Sequence, residues 1–139
     1  MSNLKQFWHH LRVYYEDTDA GGVVYYARYL NFMERARTEM LRECGADILS
    51  CQQQHGVFFV VKNVSVNYVA PARLDDNLTI ATTVTKLGAA TIGMSQNVFC
   101  GPRLLTEGTV DLVSLNAAGQ VLRLPDQLRH KLNSIINTQ

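Results

Sequence analysis

The chain has 139 residues, with 47% apolar and 18% charged residues and a formal net charge of +1. That length suits one folded domain with a real core, and the composition excludes a disordered chain. The balance of thirteen Lys and Arg against twelve Asp and Glu lacks the overall basic excess of a nucleic-acid binder. The longest aliphatic and aromatic run, Val57 to Val61, is far short of the ~20 residues that cross a bilayer, so no membrane insertion is expected. Around Lys5, Phe7, Trp8, His9 and His10 there is no apolar stretch like a signal peptide's, and the expected address is the cytoplasm.

In chain order, Leu11-Arg12-Val13-Tyr14-Tyr15 is rich in β-formers and predicts a first strand, stopped by the polar turn Glu16 to Gly22. Tyr26, Tyr29, Leu30, Met33, Ala36, Met40, Leu41 and Cys44 then recur at three- and four-residue steps. They predict a helix of about 20 residues from Val23 to Cys44, roughly 30 Å long, capped at Gly45. From Val57 the period is two, and strands are expected to Tyr68, over Leu78 to Val84, over Thr91 to Phe99 and over Leu105 to Leu115. The connections at 73–77, 87–89 and 101–103 are short enough for hairpins, with Asp75 and Asp76 making the first turn. Pro125 and the spacing of Leu128, Leu132, Ile135 and Ile136 predict a C-terminal helix over about 126–137. The outline is α+β, one long helix against one antiparallel sheet, in a single unit spanning 1–139 without linker or repeat.

Phosphate-cradling glycine motifs and the G-x-S-x-G serine elbow are missing. His9, His10, His55 and His130 are not at zinc-ligand spacings, so no metal is expected. Cys44, Cys51 and Cys100 form an odd set without C-x-x-C and read as reduced packing thiols. What remains is one dense polar segment from Tyr15 to Tyr26, a carboxylate-rich turn running into a predicted helix start. Helix starts expose unbonded N–H groups and partial positive charge. An N–H there can hold a carbonyl oxygen as it becomes negative, while a nearby carboxylate attacks the carbon or activates water. Gly21 and Gly22 would let a substrate approach the backbone closely. Asp and Thr before a helix are also ordinary caps, and spacing alone does not separate the two readings.

The stretch V-Y-Y-E-D-T-D-A-G-G-V-V-Y-Y-A-R-Y-L, Val13 to Leu30, resembles the signature of the 4-hydroxybenzoyl-CoA-type hotdog thioesterases. It is nearest the YbgC-type branch of acyl-CoA thioesterases, associated with the Tol-Pal cell-envelope system. The resemblance continues through Phe32 to Arg42 and Tyr68 to Asp76. It implies a hotdog fold, in which the sheet wraps the long helix, and hydrolysis of acyl-CoA thioesters without metal or cofactor. It also implies a homodimer or a tetramer built as a dimer of dimers. Asp19 takes the place of the catalytic carboxylate, as nucleophile or general base. The oxyanion-holding N–H falls on Tyr26, and Tyr15 matches an assisting tyrosine. Tyrosine stands at position 26 where the branch usually has histidine, which preserves a backbone donor but not an imidazole. Gly22 and Val23 belong to the expected substrate-binding loop, and Lys62 and Arg73 are candidate cations for the CoA phosphates. Glu34 is a lesser candidate for a second acid, with surface pairing near Arg35, Arg37 and Thr38 the preferred reading. The alternatives carried with this reading are a thioesterase acting on acyl carrier protein and a non-catalytic acyl-carrier or envelope-assembly binding module.

Overall fold

The computed structural model of the chain describes residues 6–136. Among these residues there are five strands: β1 Gln6–Arg12, β2 Phe58–Tyr68, β3 Asn77–Leu87, β4 Thr91–Cys100 and β5 Arg103–Leu115. They form one antiparallel sheet in the order β1-β3-β4-β5-β2. Among the described residues three helices accompany it, α1 Arg28–Glu43, α2 Ile48–His55 and α3 Asp126–Ile136, with a single 3-10 turn at Tyr15–Asp17.

The first strand lies earlier than its β-forming composition suggests. Trp8, His9 and His10 pair with Ala81, Ile80 and Thr79, so the histidine pair lies within the strand. Val13 leaves the ladder but stays fixed, donating to Asp76 O at 2.9 Å and accepting from Asp75 N at 3.0 Å.

The long helix starts five residues later than the periodicity suggests. Val23 and Val24 prefer extended backbone and form bridges with Arg73 and Thr18. Within α1 the buried face carries Tyr29, Phe32, Met33, Ala36, Arg37, Met40 and Leu41. Three members of the expected stripe depart from it: Leu30 is half-exposed, Tyr26 is off the helix, and Cys44 is the partly buried C-cap residue. The helix ends as its glycine predicts. Gly45 at φ +80° lets its own N–H reach Arg42 O at 3.1 Å and the Ala46 N–H reach Leu41 O at 2.8 Å. α2 was not visible in the periodicity. Its N-cap is Asp47, whose Oδ2 accepts from Ser50 N at 3.2 Å.

The 73–77 connection is a turn but not a hairpin. β2 pairs with β5 at one edge of the sheet, whereas β3 lies between β1 and β4. The chain after Pro71 therefore crosses the sheet, passing the start of α1. There Val24 N donates to Ala72 O at 2.8 Å, and Ala72 N donates to the Tyr29 hydroxyl at 3.0 Å. Asp76 Oδ2 closes the turn by accepting from Arg73 N at 2.8 Å. This crossing pins the loop that precedes α1 to the sheet. Beneath it, Phe32 and Ala36 of α1 meet Leu78, Ile80, Val98 and Leu105, while Met33, Met40 and Leu41 share a second cluster with Leu128 and Leu132 of α3. The C-terminal helix falls where the leucine spacing puts it; residue 137 of the expected span lies outside the described residues.

Candidate active site

The residues from Asp17 to Tyr25 fold back on themselves as a miniature ladder. Tyr25 N donates to Asp17 O at 2.9 Å, Thr18 bridges Val24, and Asp19 N donates to Val23 O at 2.9 Å. The tip is a turn in which Gly22 N reaches Asp19 O at 3.0 Å, with Gly22 at φ +82°, a conformation that favours glycine. Asp19 Oδ1 accepts from Gly21 N at 2.8 Å and from Val23 N at 3.4 Å. Its Oδ2 has no partner among the described residues, and the side chain is exposed. One oxygen thus holds the loop while the other makes no bond to the described residues.

The two aspartates of the D-T-D segment have different tasks. Asp17 is buried, its Oδ2 accepting from Tyr14 N at 2.9 Å and its Oδ1 lying 3.7 Å from Arg28 Nε. Arg28 also donates to Glu16 O at 3.2 Å. Asp17 is therefore the structural carboxylate, tying the turn to the first residue of α1.

Tyr26 sits two residues before α1 rather than in its first turn. Its N–H has no acceptor among the described residues, while the preceding carbonyl, Tyr25 O, accepts from Arg28 N at 2.8 Å. That bond polarises the Tyr25–Tyr26 peptide and strengthens the free N–H as a donor. On the other side, the Tyr68 hydroxyl donates to Tyr26 O at 2.9 Å. Burial, and then the neighbouring Tyr26, hold the Tyr68 phenol above its ordinary pKa. The rings of Tyr26 and Tyr68 meet edge-on at 6.4 Å, and Tyr29 and Tyr68 at 5.4 Å. With Val24, Val69 and Pro71 they line an open cleft of about 260 Å³.

Gly22, Val23 and Arg73 come together, because Val23 and Arg73 form an isolated bridge. Asp19 belongs to the same loop but does not line the cleft within this chain. Tyr15 is 82% exposed, and its carbonyl accepts from Thr18 N and Thr18 Oγ1 at 3.1 and 2.7 Å; nothing brings its ring to the cleft. Lys62 is also remote within the chain. It lies at the β2 bulge, six residues and roughly 20 Å of strand from Tyr68. Among the described residues no cluster of three or more His, Cys, Asp or Glu is placed to hold a metal. Burial raises the Cys44 and Cys51 thiols above their ordinary pKa, as packing residues require. Sequence reasoning passed over Tyr68 and Tyr29. The signal available was the tyrosine opening the Y-V-A-P-A-R segment immediately after an alternating strand.

The thioesterase superfamily model matches residues 21–107. The chain belongs to that family. It is 43% identical over 106 residues to the acyl-CoA thioesterase YbgC of Haemophilus influenzae, covering 76% of this chain and 78% of that one. Against the acyl-CoA thioester hydrolase YbgC of Escherichia coli the identity is 46% over 107 residues, 76% of this chain and 79% of that one. The crystal structure of a probable thioesterase from Bartonella henselae superposes with a TM-score of 0.83 at 37% identity, covering 87% of this chain and all of that one. The sheet and central helix are thus the hotdog arrangement of this family, and the protein is a thioester hydrolase. No helix among the described residues is long and apolar enough to cross a membrane.

Proposed function

We propose that this protein is a cytoplasmic acyl-CoA thioesterase in which Asp19 is the essential carboxylate and the Tyr26 N–H is the oxyanion donor. The observation that carries the proposal is the shared loop. A carboxylate with one anchored oxygen and one without a partner among the described residues is joined, by a ladder of backbone bonds, to an N–H that likewise has no acceptor among them, beside an open cleft. As the thioester carbonyl becomes tetrahedral, its oxygen gains negative charge that a preorganised N–H stabilises. Asp19 either attacks the carbonyl carbon, giving an anhydride that water then opens, or takes a proton from the attacking water. Both routes release coenzyme A thiolate, a good leaving group that needs no strong general acid. Coenzyme A enters with the substrate, so the reaction calls for no further cofactor.

The working unit is a homodimer or a dimer of dimers. β2 is an edge strand with eight of its eleven residues exposed, including Val60, Val61 and Val64, which is the condition for pairing with another chain. A second copy also offers the route by which Lys62 could approach a neighbour's site, and Arg73, beside the substrate loop, is the cation for CoA phosphate within the chain.

Hydrolysis of a panel of short-chain, long-chain and aromatic CoA esters, each matched with its acyl carrier protein thioester, tests the reading. Turnover of CoA esters is expected, and turnover confined to carrier esters would replace it. Absence of hydrolysis across the panel with retained binding of a carrier protein would make the protein a binding module. The donor is tested separately. Tyr26→Pro, which removes the N–H, is expected to lower kcat by about 10²–10³-fold, and Tyr26→Phe, which keeps it, far less. A large loss in Tyr26→Phe would move the role to the phenol.

A further inference from the structure

A second cleft lies farther along the same flank of α1. It measures about 300 Å³ and is lined by Glu34, Arg37 and Leu41 of α1, Ile48 of α2, and Phe59 and Val61 of β2, among others. β2 runs opposite to α1 here, bringing Tyr68 to Tyr26 and Tyr29, and Phe59 and Val61 to Arg37 and Leu41. From Arg28 to Arg37 the helix rises roughly 13 Å, so this cleft stands at about that distance from the loop that carries the Tyr26 N–H.

Arg37 distinguishes it. Only 9% of the residue is exposed, and one guanidinium nitrogen donates to Gln96 Oε1 at 3.0 Å. Gln96, wholly buried, is itself fixed by donating to Met33 O at 2.9 Å and Thr82 Oγ1 at 3.0 Å. A neutral amide therefore grips the guanidinium from behind. Arg28 and Arg42 both have carboxylate partners, but Arg37 has none within 4.0 Å among the described residues. Burial pulls its pKa below the ordinary arginine range, opposed by the charge of Glu34. A guanidinium has five donors in a planar fork matched to carboxylate, and this one spends a single bond on the protein. A desolvated cation without an anion is unfavourable, and an anion delivered into the cleft relieves it.

We propose that Arg37 binds a carboxylate at the far end of the acyl group, so that the cleft selects CoA thioesters of dicarboxylic acids. This rests on the thioesterase reading. Leu41, Ile48, Phe59 and Val61 supply apolar wall for the methylenes, and the fork of Arg37 meets the terminal oxygens. Glu34, exposed at the lip, opposes the incoming charge and keeps the affinity modest.

The test compares suberoyl-CoA with octanoyl-CoA, equal in length, as substrates, and measures binding of free suberate and octanoate by calorimetry. Wild type is expected to favour the suberoyl ester. Arg37→Met is expected to lower the suberoyl-to-octanoyl ratio of kcat/KM by about 10–100-fold, mainly through KM, as loss of a charge-assisted bond predicts. Arg37→Lys keeps the charge without the fork and should retain part of the preference, and Glu34→Gln should tighten suberate binding. These two variants, with the wild-type ratio, decide the matter if Arg37→Met does not fold. Equal turnover of both esters by wild type overturns the proposal and leaves the thioesterase reading intact. Hydrolysis of neither ester, nor of the broader panel, removes that reading, and suberate binding then decides the role of Arg37 alone. Dissociation of the oligomer in Arg37→Met with suberate affinity unchanged also overturns it, because the missing anion would then come from a second copy.

Discussion

Asp19→Asn is expected to lower kcat/KM for acyl-CoA thioesters by about 10³-fold or more, with secondary structure and oligomer state unchanged. The substitution is chosen for what it preserves. Asp19 Oδ1 organises the turn by accepting from Gly21 N at 2.8 Å and Val23 N at 3.4 Å, and an amide oxygen can take both bonds. Alanine would lose the turn with the charge and confound the result. What asparagine lacks is the negative oxygen needed to attack a carbonyl carbon or to deprotonate water. Asp17→Asn is the informative contrast. That carboxylate is buried between Tyr14 N and Arg28, so its neutralisation acts on the loop through stability. Steady-state kinetics with a saturable CoA ester, alongside circular dichroism, separates the two. Unchanged turnover in Asp19→Asn would remove the mechanism.

The parts of this molecule legible in its sequence are those governed by local pattern. The periodicity located α1 and α3, and alternation located β2 to β5, because amphipathic faces follow directly from helical and strand geometry. Gly45 marked the end of α1 because only a left-handed residue closes that cap comfortably. Errors arose where distant chain segments decide. Val23 and Val24 are held extended by Thr18 and by Arg73, fifty residues away from Val23, so the helical stripe drawn through Tyr26 ran too far. Adjacent strands were expected to be neighbours, but β2 and β3 lie apart, and the intervening segment is tied to α1 where Ala72 N donates to the Tyr29 hydroxyl. Within the site, Asp19 and Tyr26 were drawn from one contiguous motif, and backbone bonds do join their loop. Tyr68 and Arg37 could not be read in the same way. The first acts through a carbonyl 42 positions away and the second through a glutamine 59 positions away.

The largest loss of stability is expected from Gln96→Leu, about 3 kcal/mol, or roughly a 10 °C fall in Tm, with an unchanged denaturant m-value. Leucine nearly matches the volume, so the effect is polar rather than steric. It removes the only acceptor that the buried Arg37 guanidinium has among the described residues and the donor to Met33 O and Thr82 Oγ1. Packing leaves the neighbourhood little means to adjust. A Cβ added at Gly108, on the adjacent strand, would lie 2.7 Å from Met33 Cε and 3.0 Å from Gln96 O. The double variant Gln96→Leu, Arg37→Met discriminates between two origins of the loss. If the damage comes from stranding a charge, removing that charge as well should restore about 1 kcal/mol or more relative to Gln96→Leu alone. Simple addition of the two losses would instead mean that Gln96 stabilises the core through Met33 and Thr82, and that Arg37 is held in place by something other than its amide.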